Sequence, residues 1–204
     1  MSVVVLISGR GSNLRAMLEA GIPVCAVISN EPQVAGLAIA SKHGVAARIV
    51  SHRDYRSRED FDRALAAEID AREPKLVALA GFVRILTPRF VGRYAGRMLN
   101  IHPSLLPAFP GLDTHAQALA AGVKLHGCTV HFVTAEVDRG PIVIQAAVPV
   151  RPEDTADTLA ARVLRQEHVI YPRAVRWFLD GRLVIGDGAV RVKGNDAQLV
   201  LSAD

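Results

Sequence analysis

Asn100 and His102 stand two residues apart at the end of the apolar run 98–101, and Pro103 follows them. Side chains two apart on a strand share a face, so an amide and an imidazole point the same way at a strand end. Pro103 keeps His102 in the β or polyproline region. An amide N–H₂ donates to a developing oxyanion, and an imidazole carries or donates a proton. A carboxylate beside that imidazole would raise its pKa and fix its orientation. The acid that stands out is Asp138, in the turn-rich stretch Thr134-Ala135-Glu136-Val137-Asp138-Arg139-Gly140-Pro141 between two expected strands. In an open α/β sheet such loops border the ligand crevice. Amide, imidazole and carboxylate, with no nucleophilic Ser or Cys, suggest acyl transfer to an incoming amine. Asn100 and protonated His102 would hold the tetrahedral intermediate. The spacing alone also fits a blander reading, with Asn-x-His as a loop anchor and Asp138 as a turn former.

A second stretch suits an anion. The apolar run 3–7 enters Ser8-Gly9-Arg10-Gly11-Ser12-Asn13, and a helical pattern follows from Leu14. Glycines let an oxyanion approach the backbone, and helix N-terminal N–H groups favour a phosphate. Ser12 and Asn13 add side-chain donors and can cap the helix. An ordinary, well-capped βα turn would look similar. A dinucleotide fingerprint needs Gly or Ala where Leu14 stands and an acid at the end of the second strand. Glu31 follows Ser29-Asn30 there, so that match is partial. One phosphomonoester fits better, and there is no Walker A lysine.

The elements that must position these groups alternate along the chain. Strands are expected at 3–7, 24–29, 47–50, 76–80, 98–101, 129–133 and 142–150. Helices are expected at 13–20, 35–42, 57–71, 88–94, 114–121 and 155–178. Ser57 and Asp60 have capping spacing, and Pro172 should kink or end the last helix near Tyr171. The first half reads βαβαβαβ, which predicts a parallel, doubly wound sheet with helices on both faces. Shorter connections beyond Asn100 predict some antiparallel pairing. After Gly181 the tail should form a loose hairpin or fray.

Composition narrows the class. The 204 residues are half apolar, enough for a sizeable core, and mean hydropathy is +0.23. No apolar run approaches the ~20 residues of a membrane span, and the start lacks the basic region of a signal peptide. Cys25 and Cys128 belong to no CxxC and read as two buried free thiols in a reducing cytosol. The net charge of +4 is dispersed, with no basic stripe for nucleic acid. His126 and His131 are five apart, so a continuous strand would place them on opposite faces. His43, His52 and His115 fall at helix ends and loops. No histidine or cysteine spacing suits a metal, and none is expected.

Taken together, four segments resemble one family. They are Val4-Val5-Leu6-Ile7-Ser8-Gly9-x-Gly11-Ser12-Asn13-Leu14, Leu79-Ala80-Gly81-Phe82-Val83-Arg84-Ile85-Leu86, Leu99-Asn100-Ile101-His102-Pro103-Ser104-Leu105-Leu106-Pro107 and His131-Phe132-Val133-Thr134. With Gly140-Pro141, Gln166-Glu167-His168 and Tyr171-Pro172 they resemble the glycinamide ribonucleotide formyltransferases, collinearly from about residue 3 to residue 183. Asn-x-His-Pro-Ser-Leu-Leu-Pro alone marks the wider folate-dependent formyltransferase group. The resemblance implies a Rossmann-like α/β formyltransferase fold with a mostly parallel sheet of about seven strands. It implies one domain over about 1–183, its phosphate-binding half about 1–100 and its folate and catalytic half about 101–183, followed by a hairpin or tail at 184–204.

It also implies transfer of a formyl group from 10-formyltetrahydrofolate, as co-substrate, to the glycyl amine of 5-phosphoribosylglycinamide. Asn100, His102 and Asp138 would be catalytic. Gly11, Ser12 and Asn13 would hold the phosphate, Glu167 the ribose, and the backbone near Val83 and Pro103 would place the amine. Arg58, Val83, Arg84, Ile85, Leu86 and Asn100, with Thr134, Ala135, Glu136, Val137 and Asp138, would bind the folate. A cytoplasmic enzyme of small molecules is implied, monomer or weak homodimer, needing no metal, membrane or nucleic acid. Arg10, Arg139, Asp113 and Leu164 depart from the family's usual residues, which bears on affinity rather than on the reaction. Related methionyl-tRNA and sugar-nucleotide formyltransferases, and formyltetrahydrofolate hydrolase, carry extra domains and fit less well. A nicotinamide oxidoreductase is opposed by Leu14, and a non-catalytic phosphosugar-binding protein by the full Asn100/His102/Asp138 set.

Overall fold

Five consecutive apolar residues without alternation are the pattern of a strand covered on both faces, and all five residues of β1 (Val3–Ile7) are buried. The computed structural model describes residues 2–202. By contacts it divides into two units, residues 1–100 with 133–135, and residues 101–132 with 136–204.

The first unit continues from β1 through α1 (Ser12–Glu19), β2 (Val24–Ser29), α2 (Ala35–Lys42), β3 (Ala46–Ile49), α3 (Arg58–Asp70), β4 (Leu76–Leu79) and α4 (Pro88–Arg93) into β5 (Met98–His102). Its strand pairs β1–β2, β1–β4, β2–β3 and β4–β5 are all parallel, as the βαβ alternation predicts. Ser57 caps α3 as its spacing indicates, accepting from Asp60 N at 3.1 Å and donating to the Asp60 carboxylate at 2.7 Å. Thr87 caps α4 with Pro88 in its first turn, where the missing N–H costs nothing. The core gathers Leu6, Ile28, Phe61, Leu65, Ile69, Val77 and Met98.

The second unit holds the end of β5, then α5 (Thr114–Ala120), β6 (Leu125–Phe132), β7 (Ile142–Pro149), α6 (Ala156–Leu179), β8 (Leu183–Gly186), β9 (Ala189–Val192) and β10 (Leu199–Leu201). β6 and β7 are antiparallel, with a register shift between Val130 and His131. The ladder order is β10-β7-β6-β5-β4-β1-β2-β3, with β8 and β9 as a separate hairpin. Among the described residues this ladder has eight strands, in keeping with the sheet of about seven expected.

Of four local expectations, those for β6 and the thiols are corrected, and those for α6 and the tail are narrowed to one of the forms expected. β6 begins at Leu125, not at 129, because Gly127 breaks the strand pattern in sequence yet belongs to the strand. A Cβ there would lie 1.9 Å from the Ala146 carbonyl oxygen, so the glycine marks close backbone approach. α6 runs through Pro172 to Leu179. Proline in a helix costs ~3 kcal/mol, but Ile170, Tyr171, Pro172, Ala174 and Val175 are all buried, and packing of that face offsets it. The tail forms a true hairpin turning at Asp187-Gly188, both with positive φ, and then adds β10 in parallel to β7. Of the two thiols only Cys128 is buried; Cys25 is half-buried.

Candidate active site

β5 carries Asn100 half-buried and His102 buried, two residues apart. Beyond it the chain is clamped. Thr129 Oγ1 donates to Ser104 O at 2.7 Å and accepts from Leu106 N at 3.0 Å. Gln145 Nε2 donates to Leu106 O at 2.9 Å, Ser104 Oγ to Ala108 O at 2.6 Å, and Thr114 Oγ1 to Pro103 O at 2.6 Å. The Leu106–Pro107 bond is cis. Side chains of α5, β6 and β7 thus fix the turn that follows His102.

His102 is held from both sides of its ring. Nε2 lies 3.0 Å from the Phe109 carbonyl oxygen, and Nδ1 lies 3.5 Å from Asp138 Oδ2. A carbonyl accepts only, so Nε2 carries the proton. A ring protonated on both nitrogens can donate to both oxygens. Asp138 sits between β6 and β7 with φ of 56°, a left-handed conformation that Asp tolerates better than most residues. Its Oδ2 also accepts from Gly111 N at 2.9 Å, and its Oδ1 lies 3.8 Å from His131 Nε2.

His131 is therefore a site residue that strand periodicity does not single out. Its Nδ1 donates to the Phe132 carbonyl at 2.9 Å, which leaves Nε2 facing the acid. Burial pushes the His131 pKa below its ordinary value, against the raising effect of the Phe132 carbonyl and of Asp138. The register shift beside His131 carries the pairing from Val130–Ile144 to His131–Ile142, so the extra residue is Val143 on β7. His126 packs against both Phe109 and His115. The rings of His126 and Phe109 meet edge to face at 5.9 Å, and His115 Nδ1 is 3.1 Å from His126 Nε2. Burial lowers His126 to about 4, with His115 disfavouring its charge as well, and burial also lowers His115, helped by His102. Burial pushes the Cys128 thiol up, which suits an inert thiol.

In the first unit, α1 starts at Gly11 with φ of 72° and no side-chain cap, so the expectation that Ser12 or Asn13 caps it is corrected. A Cβ on Gly11 would lie 2.6 Å from Gly36 Cα, so only glycine fits. Gly11 offers no side chain to the first turn of α1, and a helix N-terminus favours an anion. Asn13 is buried and Ser12 half-buried. Val83, Arg84, Ile85 and Leu86 lie on an irregular segment between β4 and α4, with Val83 and Ile85 largely exposed and Leu86 buried. Arg84 leans over the Phe61 ring at 5.9 Å. Arg58 opens α3. Thr134 is half-buried and Ala135 exposed.

In the second unit, Glu136 and Val137 are exposed, Pro103 is half-buried, and Glu167 is buried on α6. The second unit thus brings Asp138 to His102, with the Phe109 carbonyl and Gly111 N–H as partners no motif announced. The departing Asp113 sits at the start of α5 with φ of 55°. Among the described residues no group of His, Cys, Asp or Glu could hold a metal ion, and no helix is long and apolar enough to cross a membrane.

Comparison with known proteins agrees in one direction. The formyl transferase family pattern matches residues 1–175. The chain is 50% identical over 200 residues to the phosphoribosylglycinamide formyltransferase of Escherichia coli K12, covering 95% of this chain and 94% of that one. The crystal structure of phosphoribosylglycinamide formyltransferase from Anaplasma phagocytophilum superposes with a TM-score of 0.93 at 41% identity, covering 98% of both chains. That of glycinamide ribonucleotide transformylase 1 from Symbiobacterium toebii gives 0.91 at 50% identity, covering 94% of this chain and 93% of that one.

Proposed function

This chain belongs to the phosphoribosylglycinamide formyltransferase family of de novo purine biosynthesis, and from that premise we propose how its residues carry the reaction. The glycyl amine of 5-phosphoribosylglycinamide attacks the formyl carbon of 10-formyltetrahydrofolate directly. A C–N bond forms and the carbonyl oxygen becomes an oxyanion. The Asn100 amide and the His102 Nε2–H donate to it. Collapse breaks the bond to N10 of the folate, N10 gains a proton, the amine loses one, and formylglycinamide ribonucleotide and tetrahydrofolate leave.

The observation that carries this reading is the His102 ring held between two acceptors, Phe109 O and Asp138 Oδ2. The Nε2 proton that donates to Phe109 is the one the oxyanion takes in exchange. Asp138 holds the ring plane from its Nδ1 side. Ser104, the nearest hydroxyl in sequence, is engaged with Ala108 O, and an amine nucleophile needs no Ser or Cys. Losing one oxyanion donor costs ~10²–10³-fold in turnover in acyl transfer, the size of effect this scheme asks of Asn100.

Gly11, Ser12 and Asn13 take the ribonucleotide phosphate, a role supported by the glycine turn that leads into the N-terminus of α1. Glu167 takes the ribose, and the backbone at Val83 and Pro103 places the amine. The folate rests on Arg58, Val83, Arg84, Ile85, Leu86, Asn100 and the 134–138 loop, with exposed Val83 and Ile85 as apolar surface for the pterin. The phosphate-binding half is about 1–100 and the folate and catalytic half about 101–183. The protein acts as a cytoplasmic monomer or weak homodimer without a metal.

The test is incubation with 10-formyltetrahydrofolate, with and without 5-phosphoribosylglycinamide, following tetrahydrofolate release. Release only with the ribonucleotide, and lost in His102→Ala, is the expected result. Release without the ribonucleotide would make the chain a hydrolase, and no release in either case would overturn the reading.

A further inference from the structure

Ser8 has no role in the scheme above, yet its position joins two parts of it. It follows β1 directly and opens the glycine loop. Its backbone N–H donates to Gly81 O at 3.0 Å. Its Oγ accepts from Val83 N at 2.8 Å and donates to Asn30 Oδ1 at 2.5 Å. A hydroxyl has one proton and two lone pairs, so the bond to Asn30 fixes the proton and aims a lone pair at Val83. Asn30 is 3% exposed and is itself held. His52 Nδ1 lies 3.2 Å from both its Nδ2 and its carbonyl oxygen.

The segment Ser8 grips has no regular structure from Gly81 to Thr87. Its far end is tied in the same way, by the buried Asp62 carboxylate accepting from Thr87 N at 2.7 Å. Between the two ties lie Val83, Arg84, Ile85 and Leu86. Backbone amides in such a segment would otherwise bond to water and sample many conformations.

We propose that Ser8 is a positioning residue whose hydroxyl locks Val83, and with it the folate-bearing segment 83–86, to the start of the phosphate loop. Ligand at either one then favours ligand at the other. The inference rests on the assignments under Proposed function. One hydrogen bond contributes about 0.5–1.5 kcal/mol net, which corresponds to roughly a 2- to 12-fold change in affinity. Because coupling is reciprocal, either ligand can report it.

The test compares wild type, Ser8→Ala and Ser8→Thr. Hydrogen exchange of the free proteins reads protection of the 83–86 amides. Calorimetry reads tetrahydrofolate affinity with and without saturating 5-phosphoribosylglycinamide. In Ser8→Ala we expect faster exchange at 83–86, tetrahydrofolate binding several-fold weaker, and loss of the gain that the ribonucleotide confers on wild type. Ser8→Thr, which keeps the hydroxyl, should restore all three. A Ser8→Ala protein with a lower melting temperature but unchanged folate affinity and coupling would reduce Ser8 to a packing role and overturn the proposal alone. A wild-type protein that binds neither ligand would overturn the formyl-transfer reading and this proposal with it.

Discussion

One oxygen of Asp138 serves two partners: Oδ2 lies 3.5 Å from His102 Nδ1 and 2.9 Å from the Gly111 N–H. The shorter contact holds the carboxylate in place, and the longer one turns it toward the ring. His102 is thus oriented by an acid that is itself fixed by backbone from the next loop.

Asp138→Asn keeps the shape and the Gly111 contact but replaces the charge facing His102. Turnover is expected to fall on the order of 10²–10⁴-fold, the usual worth of a proton-handling group, with ribonucleotide affinity nearly unchanged. Steady-state kinetics paired with calorimetric ribonucleotide binding checks it. Wild-type turnover would remove Asp138 from the catalytic set.

Gly11→Val places a branched side chain where φ is +72° and a Cβ would meet Gly36 Cα at 2.6 Å. Ribonucleotide binding should be lost, and stability should drop by about 1–3 kcal/mol from backbone strain. Calorimetry and urea unfolding read the two effects separately. Intact ribonucleotide affinity would sink the phosphate-loop assignment.

His126 titrates at about 4 in the fold, against ~6.5 for an ordinary imidazole. Between those values the unfolded chain binds a proton that the native state refuses. Stability therefore rises with pH across that window and falls on acidification through it, by at most ~1.4 kcal/mol per pH unit for one proton. The lowered His115 adds in the same direction. Urea unfolding at several pH values should show a shallower slope in His126→Gln than in wild type, and equal slopes would refute the assignment.

Arg162 on α6 grips Asp154 with two nitrogens, at 2.6 and 2.8 Å, and also donates to Pro149 O at 2.9 Å. Only 7% of the arginine side chain and 2% of the aspartate side chain are exposed. The Arg162 guanidinium holds the Asp154 carboxyl well below the usual carboxylate range, so its contribution is present above the ordinary aspartate pKa and is lost as pH falls through the folded one. Arg162→Met should cost roughly 3 kcal/mol, the low end for breaking a buried pair, with formyl transfer per folded molecule retained. Chemical denaturation reads the loss, and stability equal to wild type would count against it.

Much of the frame and part of the site are local, and the sequence carries local information well. The unbroken apolar run 3–7, the capping pair Ser57 and Asp60, and the βα rhythm to Asn100 each depend on residues a few positions apart. So do the glycine turn at Gly11 and the two-residue spacing of Asn100 and His102. The tertiary structure decided what depends on distant partners. Pro172 stays inside α6 because its face is buried, which overrides the rule that reads proline as a stop. β10 pairs with β7 across more than fifty residues of chain, so no nearby residue announces it. His131 meets Asp138 from a separate stretch of chain, a contact that no spacing within β6 announces. Ser8 meets Val83 across 75 positions. A periodicity reports which face a residue takes. The partner waiting on that face is fixed only when burial and hydrogen-bond satisfaction are solved for the whole chain together.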